Sequence, residues 1–162
     1  TITSALSINT IKKIGNEIQN ILSWGQMAKI NKKNKVLIIE DDLSLRPFWI
    51  RIFNNISEKT DFEWAISGEE ALEKIKATNF SENSFKLIIC DLFLAGSQTG
   101  IEILNSQSVL NSKAKTILVS AVNYKDLKSQ LNKITTQNGM RFIPKPLKSE
   151  VCKKIVNHLL TA

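Results

Sequence analysis

Five side chains carry the chemistry this sequence could do: Glu40, Asp41, Asp91, Ser120 and Lys145. The first two close an apolar run, VLIIE (36–40), that drives straight into carboxylates, with Asp42 next in line. Adjacent carboxylates repel and raise each other's pKa. They are tolerable in water, or around a cation that wants oxygen ligands. Asp91 ends a second apolar run, KLIICD (86–91), and Ser120 ends a third, ILVS (117–120). Lys145 follows RFIP (141–144). Carboxylates converging from strand ends suit Mg2+, a hard ion that takes octahedral oxygen ligands and keeps several waters. Lysine supplies a compact cation for a phosphate or a carboxylate. A carboxylate nucleophile, a metal, a lysine and a hydroxyl are the parts of a phosphoryl-transfer site.

Those groups need elements to hold them. From residue 35 onward, short β-type runs alternate with helical patterns. The strand candidates are VLIIE (36–40), FEWAI (62–66), KLIICD (86–91), ILVS (117–120) and RFIP (141–144). The first, third and fourth are continuously apolar, as strands buried on both faces of a parallel sheet are. Apolar residues at three- and four-residue spacing predict the helices between them. Leu45, Phe48, Trp49, Ile52, Phe53 and Ile56 mark one, and Ala71, Leu72 and Ile75, after an N-cap at Ser67, mark the next. Ile101, Ile103, Leu104 and Leu110 mark a third helix, Leu127, Leu131 and Ile134 a fourth, and Leu147, Val151, Ile155 and Leu159 the last. Five βα units predict an α/β domain, an open parallel sheet with helices on both faces. Sites in such sheets form at the carboxyl ends of the strands. All five chemical residues fall there.

Composition narrows the class further. Apolar residues make up 43% of the 162, enough for a globular core. No apolar run approaches the roughly 18 residues of a membrane helix. The N-terminus lacks the layout of a signal peptide, so the expectation is a cytoplasmic chain with no membrane span. Cys90 and Cys152 are far apart and fit no metal spacing, and read as reduced, buried thiols. The single histidine, His158, has no nucleophile-elbow motif to serve. Net charge is +7, but Lys12, Lys13, Lys29, Lys32 and Lys33 against Glu17 place +4 of it in residues 1–34. That distribution favours a solvated lysine-rich linker over a nucleic-acid partner. The same segment, 1–34, forms a helical extension and linker, and 35–162 the domain. Ile11, Ile14, Ile18 and Ile21 repeat at 3-4-3 spacing, an a/d pattern that would pack on the chain's own domain or on a second copy.

The order and spacing of five pieces resemble a response-regulator receiver domain over about 125 of the 162 residues. They are LIIEDD (37–42), NISEKTDFEWAISGEEAL (55–72), IICDLFLAG (88–96), LVSA (118–121) and FIPKPL (142–147). The resemblance implies a flavodoxin-like sheet of order 2-1-3-4-5 with five helices, beside the N-terminal helix. It implies that Asp91 is the phosphoacceptor, attacking the phosphorus of a phosphohistidine on a histidine kinase or phosphotransfer protein. Asp41 would bind Mg2+ directly and Glu40 largely through water, with Asp91 and the backbone carbonyl of Phe93 completing the protein contacts. Lys145 would pair with Asp91 or its phosphoryl group. Ser120 would hydrogen-bond that group, and Phe142 would be the aromatic switch residue. The Lys145–Pro146 bond would be cis.

By the same resemblance the chain is no turnover enzyme; it would catalyse only its own phosphoryl transfer and dephosphorylation. It reads as a stand-alone receiver or as part of a larger protein such as a hybrid kinase. A homodimer through the strand-four/strand-five face or the N-terminal helix stays open. The alternative is a receiver-like scaffold that is never phosphorylated. Two departures mark the loop after Asp91: Ala95 stands where the family usually has proline, and the stretch to Gly100 is one residue longer than the common pattern. Phe93 and Val122, two residues after Asp91 and Ser120, are apolar where the family's side chains influence attack by water. They imply slow self-dephosphorylation.

Overall fold

In a computed structural model the chain is described over residues 8–30, 33–78, 83–127 and 139–161. It divides into two compact units, 1–32 and 33–162. The first is built on one helix, α1 (Ile8–Ile30). Its isoleucines at 11, 14, 18 and 21 are all exposed, as is Leu22.

The second unit is the expected α/β sheet. Strands β1 (Asn34–Ile39), β2 (Thr60–Ala65), β3 (Leu87–Asp91), β4 (Lys115–Ser120) and β5 (Arg141–Pro144) are all parallel. Their order is β2-β1-β3-β4-β5. Around them lie a 3-10 turn (Leu43–Leu45), α2 (Arg46–Asn54), α3 (Gly68–Thr78), α4 (Gly100–Leu104), α5 (Gln107–Asn111) and α6 (Ser149–Thr161). Successive side chains of a strand point to opposite faces, and the core divides accordingly. Leu37, Ile39, Ile88, Cys90 and Leu118 face one layer with Ala71, Ile75, Ile103 and Leu104. Val36, Ile38, Leu87, Ile89, Ile117 and Val119 face the other with Trp49, Ile52, Phe53 and Val156. This is why β1, β3 and β4 read as unbroken apolar runs. Each side chain of those runs has a helix layer to meet. The two thiols are free and buried in different layers.

Several bounds differ from the periodicity. β1 begins at Asn34, inside the lysine-rich stretch, because backbone pairing with Thr60 needs no apolar side chain. β2 likewise begins early, and it ends before Ile66, which is exposed. β4 starts two residues early, at Lys115. The third predicted helix is two short ones. Ser106 interrupts it by accepting a hydrogen bond from Val109 N–H, the N-cap role that competes with helix continuation. Of the fourth predicted helix, Leu127 lies buried in a helical segment at 124–127, while Leu131 and Ile134 fall outside the described residues.

Candidate functional site

The carboxyl edge of the sheet assembles the site. β1 hands over to Glu40, whose N–H donates to Ala65 O at 3.0 Å. β3 ends at Asp91, and Leu92 N–H donates to Val119 O, so the β3–β4 ladder runs past the aspartate. β5 ends at Pro144, where Lys145 N–H donates to Ser120 O at 2.8 Å and the Lys145–Pro146 bond is cis, as expected. Three parallel strands thus deliver Glu40, Asp91 and Lys145 to one place.

Lys145 Nζ donates to Asp91 Oδ2 at 2.5 Å and to Glu40 Oε2 at 3.2 Å. Glu40 and Asp91 are buried, and Asp41 is exposed at their side. One carboxylate oxygen from each of the three lies within 4.8 Å of the others. Burial, followed by the charge of Asp91, pushes the Glu40 carboxyl up from 4.5 to about 7 against the pull of Lys145. Burial pulls the Lys145 ammonium down, but its bond to Asp91 and the charges of both carboxylates move it net upward. Two buried carboxylates and an exposed third thus share one lysine. Hard oxygen donors at this spacing, with an open side at Asp41, fit Mg2+.

The remaining predicted residues lie around this cluster. Ser120 is fully buried, and its Oγ accepts from Val122 N–H at 2.9 Å, two residues along its own loop. Phe93 N–H donates to Asp91 Oδ1 at 3.4 Å, and Phe93 is 58% exposed. Phe142 is half-buried outside the cluster, its ring 5.4 Å from that of Tyr124 and tilted by 53°. Asp42 is exposed and caps the 3-10 turn by accepting from Ser44 N–H.

Three further contacts are absent from the sequence reading. Ala95 N–H donates to Asp41 Oδ2 at 3.1 Å. Proline, the usual residue there, has no N–H to give, so the departure noted at Ala95 was the available signal. Ser97 Oγ donates to Glu69 Oε1 at 3.1 Å, tying the long loop to the first turn of α3. Trp64 Nε1–H donates to the main-chain carbonyl of Glu40 at 2.8 Å; nothing in FEWAI pointed to it.

Comparison with known proteins converges on one family. The family model "response regulator receiver domain" matches residues 36–157. Among solved structures, the chain is similar to a CheY-like response regulator receiver domain protein from Methanospirillum hungatei JF-1. Identity is 21% and the TM-score 0.62, covering 80% of this chain and 96% of that one. It is also similar to the receiver domain of Francisella response regulator 1452. There identity is 23% and the TM-score 0.63, covering 80% of this chain and 98% of that one. No curated protein matches.

Proposed function

The chain belongs to the response regulator receiver domain family, and from that premise we propose that Asp91 takes a phosphoryl group from a histidine kinase or phosphotransfer protein. The observation that carries this reading is the Lys145 ammonium bonded to both Asp91 and Glu40, inside a cluster of three convergent carboxylates. In the transfer, an Asp91 carboxylate oxygen forms a bond to phosphorus. The bond from phosphorus to the donor's imidazole nitrogen breaks, and its electron pair stays on that nitrogen. Mg2+ held by Glu40, Asp41, Asp91 and the Phe93 carbonyl would neutralise charge on the phosphoryl oxygens. Lys145 keeps its place beside Asp91 and pairs with the phosphoryl group that replaces the free carboxylate. Ser120 carries the hydroxyl one strand away, and turning its Oγ toward the phosphoryl group gives up the bond from Val122 N–H.

That exchange at Ser120 links the chemistry to the loop bearing Val122 and Tyr124, and through the Tyr124–Phe142 ring contact to β5. A population shift of this β4/β5 face is the output the reading assigns, and partner binding there is its consequence. The setting is cytoplasmic two-component signalling. Self-association through that face or through the isoleucine stripe of α1 belongs to the same reading.

Intact mass after incubation with Mg2+ and acetyl phosphate tests it. The expected gain is one phosphoryl group, absent in Asp91→Asn. A folded protein that neither gains mass nor binds a beryllofluoride mimic would instead be a silent scaffold. Phe93 and Val122 offer no polar group to orient water, so the modified protein is expected to persist for minutes or longer. Loss of the added mass within seconds would overturn that expectation.

A further inference from the structure

We infer that Trp64 is a positioning residue for the Glu40–Asp41 pair, acting through the peptide bond that joins them; the inference rests on the metal-binding reading above. Glu40 lies one residue past the end of β1. Both peptide groups flanking its Cα are nonetheless tied to consecutive residues of β2. The preceding one is held through Glu40 N–H on Ala65 O at 3.0 Å. The following one is held through Glu40 C=O, which accepts the indole N–H of Trp64 at 2.8 Å.

That second peptide group contains the Glu40 carbonyl and the Asp41 N–H. Its orientation sets ψ of Glu40 and φ of Asp41, and hence the directions in which the two carboxylates leave the chain. Trp64 is itself fixed: it pairs with Ile38 in the β1–β2 register and packs against the Trp49 layer. The indole is thus a rigid donor reaching along the sheet edge to a main-chain acceptor. The Asp41 carboxylate is steadied separately, by Ala95 N–H at 3.1 Å. Phenylalanine at 64 keeps an aromatic ring in the layer but removes the donor. The main-chain carbonyl of the buried Glu40 then has to turn toward water for a partner, and the acidic pair turns with it.

The test is a calorimetric Mg2+ titration of the full chain and of Trp64→Phe, with unfolding midpoints measured in EDTA. The expected result is Mg2+ binding weakened about fivefold, the size of one net hydrogen bond, with the EDTA midpoint little changed. A role confined to packing would move the midpoint and leave the affinity of the folded protein alone. Equal Mg2+ affinity in the two proteins overturns the inference while the receiver reading stands. Absence of Mg2+ binding in the unsubstituted chain overturns both. If Trp64→Phe does not fold, the unsubstituted protein decides through its assigned Trp64 indole N–H resonance. A shift on adding MgCl2, with that of Trp49 static, supports the inference; a static Trp64 resonance overturns it.

Discussion

Glu40 sits where a carboxylate is poorly solvated and faces a second carboxylate, and this has a measurable consequence. Its pKa in the fold, about 7, lies above the ordinary 4.5. The folded state therefore holds a proton that the unfolded state has released across this window. Stability from that proton is complete below pH 4.5 and is lost as pH rises through about 7. In EDTA the unfolding midpoint should fall by on the order of a few degrees across that window. Asp91→Asn, which removes one of the two causes, should shrink the fall, and saturating Mg2+ should abolish it. A midpoint flat from pH 5 to 7 in EDTA would contradict this. At this scale the sequence was legible where residue type and strand end coincided, as at Glu40, Asp41, Asp91 and Lys145. It was silent about Trp64, because an indole reaching a main-chain carbonyl 24 residues away depends on strand pairing that composition does not encode.

The loop after β3 returns to the end of that strand at Gly100, the first residue of α4. Its N–H donates to Leu92 O at 2.8 Å, and a Cβ built there would lie 2.1 Å from Asp91 O and 3.0 Å from Leu92 Cα. The obstacles are main-chain atoms of Asp91 and Leu92, which cannot swing aside. Gly100→Ala should cost more than about 3 kcal/mol and be read as a loss of denaturation midpoint. Stability within about 0.5 kcal/mol of the unsubstituted chain, the range of ordinary surface changes, would contradict the close approach. The helix after it begins with a full capping box: Thr99 Oγ1 accepts from Glu102 N–H, and the Glu102 side chain accepts from Thr99 N–H. Apolar spacing placed this helix correctly but joined it to the next. Ile101, Ile103 and Leu104 lie in the core and Leu110 is half-buried, so periodicity sees one stripe where Ser106 makes a break.

The whole molecule divides at Lys32, and the sheet with its two layers lies entirely within 33–162. A chain of residues 33–162 should fold with an unchanged midpoint and keep its Mg2+ affinity. Sedimentation of the two lengths side by side locates any self-association in α1 or in the sheet domain. A short chain that fails to fold would show that residues 1–32 complete the core. The number of strands, and the burial of β1, β3 and β4 on both faces, could be read from apolar runs alternating with helical spacing. The order β2-β1-β3-β4-β5 could not, because periodicity is blind to which neighbours pair; that expectation came from the family resemblance.

The two thiols described with the core open one practical route. Cys90 is wholly enclosed, and burial pushes its pKa up; burial likewise carries the Cys152 thiol to about 11. Neither offers thiolate to a reagent at neutral pH. The native protein should therefore remain dark to maleimide dyes. A single cysteine introduced at the exposed Lys125, beside Tyr124, would take a fluorophore alone, and any movement of the loop after β4 on phosphorylation could be followed in real time with the Tyr124–Phe142 contact and the core left intact.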